Sequence, residues 1–424
     1  MSENNFQDFQ DFAKRETLEF AREHKDEDTA RLMLSASRYP AIDMAAAVQQ
    51  IEGLRTAREK WPSLLDCKEF VYPPRLNREQ ASSEATAQYK ANLLLDTLAK
   101  SIKPNIDLCI TPKAGVRVVD LTGGMGIDTM AFARVAEHVD YVERDPQLCT
   151  LTEHNLKALG IENVTVHCTD SMEYIRQLPD NLHTIIYIDP ARRTTSGRKV
   201  TAFEDCEPNL LHHKELLLSH CHRFIVKASP MIDIDFASKQ LATVKEVHIV
   251  GVKGECKEVL FVCGGEPEGE PQIVCCNQHI LNNRSIPNNL TFTRSEEAAA
   301  EGCYCQQVGR YLYEPDATLM KGGAFKLIAQ RYGVKQLGRN THLYTAERCI
   351  NDFPGRVFEV LQELKLSRRE MATTFPEGRA HVVTRNYPVE AAVLQKQLGL
   401  KEGGDRFVIA TSIGSRKSGF LCKM

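Results

Sequence analysis

Val118-Val-Asp-Leu-Thr-Gly-Gly-Met-Gly126 is the stretch that decides how this 424-residue chain is read. Its first residues are apolar and β-branched and end on Asp120, the pattern of a short buried strand. Glycines at 123, 124 and 126 let the backbone take positive φ and come close to a ligand. Residues 127–135 then follow a helical pattern, so the loop runs into a helix N-terminus, where the peptide dipoles leave a positive end. A strand, glycine loop and helix in that order are common to nucleotide-binding folds and predict a nucleotide-type ligand.

Outward from this loop the chain alternates. Strands are predicted at 116–120, 138–143, 164–168, 184–189 and 223–227, and helices at 127–135, 147–159, from 171, 210–220 and 236–241. Two further strands, 246–251 and 259–263, are joined by a turn at Lys253-Gly254. Strands alternating with helices imply a parallel sheet covered on both faces. The closing hairpin adds an antiparallel strand. Before this unit lie helices at 28–37, with Asp28 as cap, and at 43–60, punctuated by Trp61-Pro62 and Tyr72-Pro73-Pro74. After it, 264–271 reads as a Gly/Glu/Pro linker. Beyond lie a helix at 322–332, a helix at 356–364, a strand at 380–385, a helix at 389–398 and a strand at 406–411. The length predicts roughly two to four domains. The expected divisions are an N-terminal helical domain at 1–79, the α/β core at 80–264, and small α+β modules at 273–345 and 346–424.

Composition is globular, 42% hydrophobic and 26% charged. No apolar run approaches the roughly 20 residues that span a bilayer. The polar, acidic start and 14 cysteines predict a cytoplasmic protein with reduced thiols. Cys275-Cys276 and Cys303-Tyr-Cys305 complete no zinc spacing, so no metal is expected. Net charge is −3, but from residue 331 onward 16 Lys plus Arg face 9 Asp plus Glu, a local +7. A basic C-terminal module on an acidic body suits a polyanionic partner, although an unevenly charged solvated surface has the same composition.

Strand ends in an open α/β sheet line the ligand crevice. Glu143, ending the second predicted strand, is placed to accept hydrogen bonds from ribose hydroxyls. Asp145 competes for that role, yet Pro146 after it suits a helix cap. Asp170 and Ser171 follow the third strand, where a cap is again an alternative. The fourth strand ends in Asp189-Pro-Ala-Arg-Arg193, and its guanidinium groups at Arg192 and Arg193 suit phosphate. Lys227 ends the fifth strand and either orients substrate or extends along a strand end toward water.

The glycine loop lacks the third glycine of the dinucleotide fingerprint, that position being Thr129. It resembles motif I of class I S-adenosylmethionine-dependent methyltransferases, Asp-x-x-x-Gly-x-Gly, at Asp120, Gly124 and Gly126. The fold implied is a doubly wound, seven-stranded Rossmann-like core. The cofactor implied is S-adenosylmethionine, held by Asp120, Thr122, Gly123, Gly124, Gly126, Glu143, Arg144, Asp170 and Ser171, with Asp170 receiving the adenine amino group. The segment from Gln80 to Lys90 would cover the methionine end. Asp189-Pro190 is similar to motif IV of nucleic-acid base methyltransferases, which implies catalytic roles for Asp189 and Pro190, with Arg192 beside them as a catalytic-site residue suited to phosphate. Ala191 and Arg192 depart from that motif's second proline and aromatic. The whole arrangement resembles bacterial methyltransferases with a ferredoxin-like module and a C-terminal THUMP-like domain, through Asp189-Pro-Ala-Arg-Arg, Gly254-Glu-Cys-Lys-Glu258, Arg385-Asn-Tyr-Pro388 and Gly403-Gly404-Asp405. That resemblance implies RNA, tRNA or rRNA, as partner and substrate. Alternatives are methylation of a protein or small molecule, or cofactor binding without catalysis.

Overall fold

A computed structural model of the chain describes residues 14–101, 115–179, 184–192, 203–221, 223–265, 269–281 and 284–424. Among the described residues eighteen strands are formed: β1 (Arg117–Asp120), β2 (His138–Glu143), β3 (Val164–Cys168), β4 (Thr184–Ile188), β5 (Ala191–Arg192), β6 (Cys206–Glu207), β7 (Arg223–Ala228), β8 (Val244–Val252), β9 (Glu255–Cys263), β10 (Gln272–Leu281), β11 (Arg284–Phe292), β12 (Tyr311–Pro315), β13 (Lys335–Gly338), β14 (Thr341–Ala346), β15 (Gly355–Leu364), β16 (His381–Arg385), β17 (Arg406–Ile413) and β18 (Arg416–Lys423). The chain divides into two compact units, 1–245 with 259–268, and 246–258 with 269–424.

The larger sheet has the order β11-β10-β8-β9-β7-β4-β1-β2-β3. β1 pairs in parallel with β2 and β4, β4 with β7, and β2 with β3, whereas β9 lies antiparallel to β7. The expected seven strands are present and the hairpin closes them as predicted. The count of seven is corrected to nine, because β10 pairs in parallel with β8 and β11 antiparallel with β10. Ile273-Val-Cys-Cys276 is a short continuous apolar run, buried throughout, as suits a strand covered on both faces.

In the first unit, helices Arg15–Glu23, Thr29–Leu34 and Met44–Lys60 precede the sheet. Asp28 and Asp43 cap the second and third by accepting from the Arg31 and Ala46 amides at 3.0 Å each. These helices are tied to the core through buried polar groups. The Asn155 side chain accepts from the Val71 amide at 2.8 Å and donates to its carbonyl at 2.9 Å. Trp61 is buried, and its indole N–H donates to the Ser82 carbonyl at 2.6 Å, at the entry to helix Glu84–Ser101.

The second unit carries a seven-stranded sheet, β13-β14-β12-β15-β18-β17-β16. One core, including Leu312, Leu343, Phe358, Ile409 and Phe420, draws on strands from end to end of this sheet. Helices Arg368–Thr374 and Ala391–Leu398 cover a second core with Met371, Leu394 and Val408. The predicted helix at 356–364 is instead β15. Phe358, Leu361 and Leu364 fall at helical spacing, yet Leu361 is 40% exposed while the other two are buried. Strand pairing on both sides, to β12 and to β18, overrides local propensity there.

Candidate functional site

Asp120 ends β1 and is fully buried. Its carboxylate accepts from the Thr122 amide at 3.2 Å and the Thr129 hydroxyl at 2.6 Å, which ties the loop's two ends together. Burial pushes the Asp120 carboxyl up to about 7, the Asp128 and Asp189 charges adding to this and the two hydrogen bonds opposing it. Gly126 stands at the N-terminus of helix Ile127–Phe132 with φ +80°, and Gly124 has φ +52°. Gly123 is required for space, since a methyl there would overlap the Tyr141 ring. The Tyr141 hydroxyl in turn donates to the Gly124 carbonyl at 2.7 Å. The loop is therefore a thin backbone cradle pressed on β2, with only the Thr122 carbonyl, at 3.8 Å, near where a Cβ on Gly124 would stand.

Glu143 ends β2 directly opposite. One oxygen accepts from the Gly124 amide at 3.0 Å and the other from the Arg144 and Asp145 amides at 2.8 and 3.0 Å. Asp145 caps helix Pro146–Ala158 by accepting from the Gln147 amide at 2.9 Å. Of the two competing carboxylates, Glu143 is thus the one tied to the glycine loop. Arg144 points to the surface and pairs with Glu207 at 2.7 Å. Asp170 caps helix Ser171–Gln177 through the Met172 and Glu173 amides, both reaching Oδ1. The Ser171 hydroxyl donates to the Leu121 carbonyl at 2.6 Å, which brings the end of β3 against the start of the loop.

Asp189 lies just past β4. Its amide donates to the Thr122 hydroxyl at 2.7 Å, so the glycine loop and the Asp189-Pro190 corner share one bond. Lys227, near the end of β7, reaches Asp189 Oδ2 at 2.5 Å. The lysine is 14% exposed and the aspartate 36%, an accessible carboxylate held by a mostly buried cation. Arg192 forms the short ladder β5–β6 with Cys206 through its backbone, and its side chain, like all of Arg193, lies outside the described residues.

Sequence reasoning missed the support beneath this corner. Asp128, in the first turn after the loop, pairs with buried Lys90 at 3.1 Å and accepts from the Ser82 and Tyr187 hydroxyls at 2.8 and 3.0 Å. Lys90 also donates to Ser82 at 2.9 Å. Burial works against the Asp128 charge, but the Lys90 and Lys227 ammonium groups and the Ser82 bond outweigh it and hold the carboxyl below its ordinary range. The segment 80–90 therefore anchors the loop through a buried ion pair. The sequence signal for this was a lysine among Thr86, Ala87, Leu93 and Leu94, on the apolar, buried face of a strong helix. Among the described residues no group of His, Cys, Asp or Glu is arranged to hold a metal, and no helix is long and apolar enough to cross a membrane.

A doubly wound sheet with its antiparallel β9 beside β7, a glycine loop after β1 and carboxylates at the next strand ends define a class I methyltransferase core. Residues 102–217 match a family described as conserved hypothetical protein 95, residues 311–354 a ferredoxin-like domain and residues 355–424 a THUMP domain-like family. A crystal structure from Porphyromonas gingivalis W83, of a protein assigned as a methyltransferase, is 30% identical. It covers 96% of this chain and 97% of that one, with a TM-score of 0.79. An uncharacterized S-adenosylmethionine-dependent methyltransferase from two strains of Mycobacterium tuberculosis is 26% identical over 322 residues, 73% of this chain and 82% of the relative. The chain belongs to the family of class I S-adenosylmethionine-dependent methyltransferases with a C-terminal THUMP-like domain.

Proposed function

We propose that this methyltransferase modifies structured RNA, tRNA or rRNA, in the cytoplasm, with its C-terminal modules presenting the RNA. The observation that carries the RNA reading is the THUMP domain-like match at 355–424, since the resemblance to THUMP domains implies RNA as the partner. The local +7 from residue 331 onward supports it, because phosphate neutralisation dominates RNA affinity.

S-adenosylmethionine supplies a methyl group activated by its sulfonium. We assign its cradle to Asp120, Thr122, Gly123, Gly124 and Gly126. Glu143 faces the ribose, Asp170 and Ser171 the adenine end, and Arg144 the rim. Asp170 caps its helix with one oxygen, which leaves Oδ2 for a ligand. Asp189 holds the acceptor by hydrogen bonding, and the fixed ring of Pro190 sets the corner's geometry. Lys227 fixes the Asp189 carboxylate, and Arg192 binds an adjacent phosphate. Catalysis then rests on positioning and on exclusion of water from the crevice. Incubating the protein with methyl-labelled cofactor and an extract containing RNA, protein and metabolites tests this. Label is expected in undermodified RNA, and label confined to protein or metabolites would overturn it.

A further inference from the structure

The second unit contains a charged cavity with no part in the chemistry described above. Glu314 on β12 is 3% exposed. Its strand partner in β15 is Arg356, whose Nε and Nη2 both lie 2.5 Å from Oε2. Arg385, ending the edge strand β16, brings Nη2 to 2.5 Å from Oε1. A single arginine would neutralise this carboxylate. The second leaves a positive excess, and Glu314 fixes the direction of both forks. The two guanidinium side chains stay 45% and 42% exposed. They border a cavity of about 260 Å³, several times the roughly 30 Å³ share of one water.

The lining also includes an aromatic pair. His381 stacks on Phe407 with centroids 4.9 Å apart and planes at 28°. Both imidazole nitrogens are tied, Nδ1 to Glu402 at 2.5 Å and Nε2 to the Gly404 carbonyl at 3.0 Å. Glu402 is the one acidic group on the cavity lining. It is 65% exposed and engaged by His381, so water screens its charge. Fixed guanidinium forks recognise the oxygens of a phosphate, and a planar ring locked in place offers a surface for a base.

We propose that the Arg356–Arg385 cavity binds a backbone phosphate of a single-stranded RNA segment, with the neighbouring base against His381. This rests on the RNA reading above and names where that RNA is gripped. Arg385-Asn-Tyr-Pro388, singled out in the sequence without a role, supplies one of the two forks.

The test uses the full chain and a fluorescein-labelled, mixed-sequence single-stranded RNA 12-mer, titrated by anisotropy across a salt series. Arg385→Gln leaves Glu314 paired with Arg356. It is expected to weaken binding about tenfold and to flatten the log–log salt slope by about one, with Arg385→Lys intermediate. Unchanged affinity and slope in a variant that melts like the wild type overturns the proposal. Should Arg385→Gln fail to fold, crosslinking of 4-thiouridine RNA to the wild type decides: adducts in peptides from β15, β16 or β17 support the site, and adducts only elsewhere overturn it. Methyl transfer to RNA by the wild type is scored separately. Transfer with unaltered Arg385→Gln binding removes the cavity and keeps the RNA reading. No transfer with weakened Arg385→Gln binding keeps the cavity and removes that reading.

Discussion

Lys227 and Asp189 sit 2.5 Å apart at the ends of neighbouring strands. The ammonium is largely buried, so it can hold the carboxylate in one orientation while leaving it open to an acceptor. Lys227→Met should lower the rate of methyl transfer roughly 100-fold, the scale of a small misplacement at the reacting atoms, while cofactor affinity by titration changes little. Equal losses in both would assign Lys227 to cofactor binding instead. Asp120 gives a pH signature. Burial raises its carboxyl to about 7 from an ordinary value of 3.8. A carboxyl whose folded value lies above its unfolded value costs the fold nothing while both states keep the proton, and costs progressively more as pH rises from about 3.8 to about 7. The stability of Asp120→Asn relative to wild type should therefore climb between about pH 4 and pH 7, by at most about 1.4 kcal/mol per unit, and level off above. Urea unfolding at pH 5, 6, 7 and 8 measures this, and a constant difference across the series would contradict the burial argument.

At the scale of elements, helix Glu84–Ser101 acts on the loop through one buried pair, Lys90 with Asp128. Lys90→Met leaves a carboxylate poorly compensated in a nearly dry site and should cost about 3–5 kcal/mol in urea unfolding, with Lys90→Met/Asp128→Asn recovering much of it. A loss below about 1 kcal/mol would mean that water reaches the pair. Elements whose local pattern agrees with their pairing were legible from sequence. The glycine loop, the cap Asp28, the helix from residue 43 and the Lys253-Gly254 turn between β8 and β9 all belong to this kind, the last with φ +54° and +81°. The site's strand ends were legible for the same reason, since a carboxylate closing an apolar run marks where a strand stops. β15 was not, because its Leu and Glu residues favour a helix and only pairing on both sides makes it a strand. β10 carries a short apolar run, and β11 and β18 weak alternation, patterns that gain meaning only beside a partner. The Lys90–Asp128 and Lys227–Asp189 pairs join residues 38 apart in sequence or separate elements, and no local pattern announces such a contact.

At the scale of the molecule, two architectures share one chain. One is a sheet whose strand ends carry the glycine loop and the carboxylates proposed to act in transfer. The other is a seven-stranded sheet in which residues matching the ferredoxin-like and THUMP-like families contribute to one common hydrophobic core. That shared core argues that 311–424 behaves as one cooperative body. Its basic balance predicts RNA binding that weakens steeply with salt. RNA methylation by this protein is measured most directly by mass spectrometry of nucleosides from tRNA and rRNA of cells with and without it, complemented by wild type or by Asp189→Ala. One methylated nucleoside is expected to be lost with the gene, restored by wild type and not restored by Asp189→Ala. An unchanged RNA methylation profile, or full restoration by Asp189→Ala, would contradict this expectation.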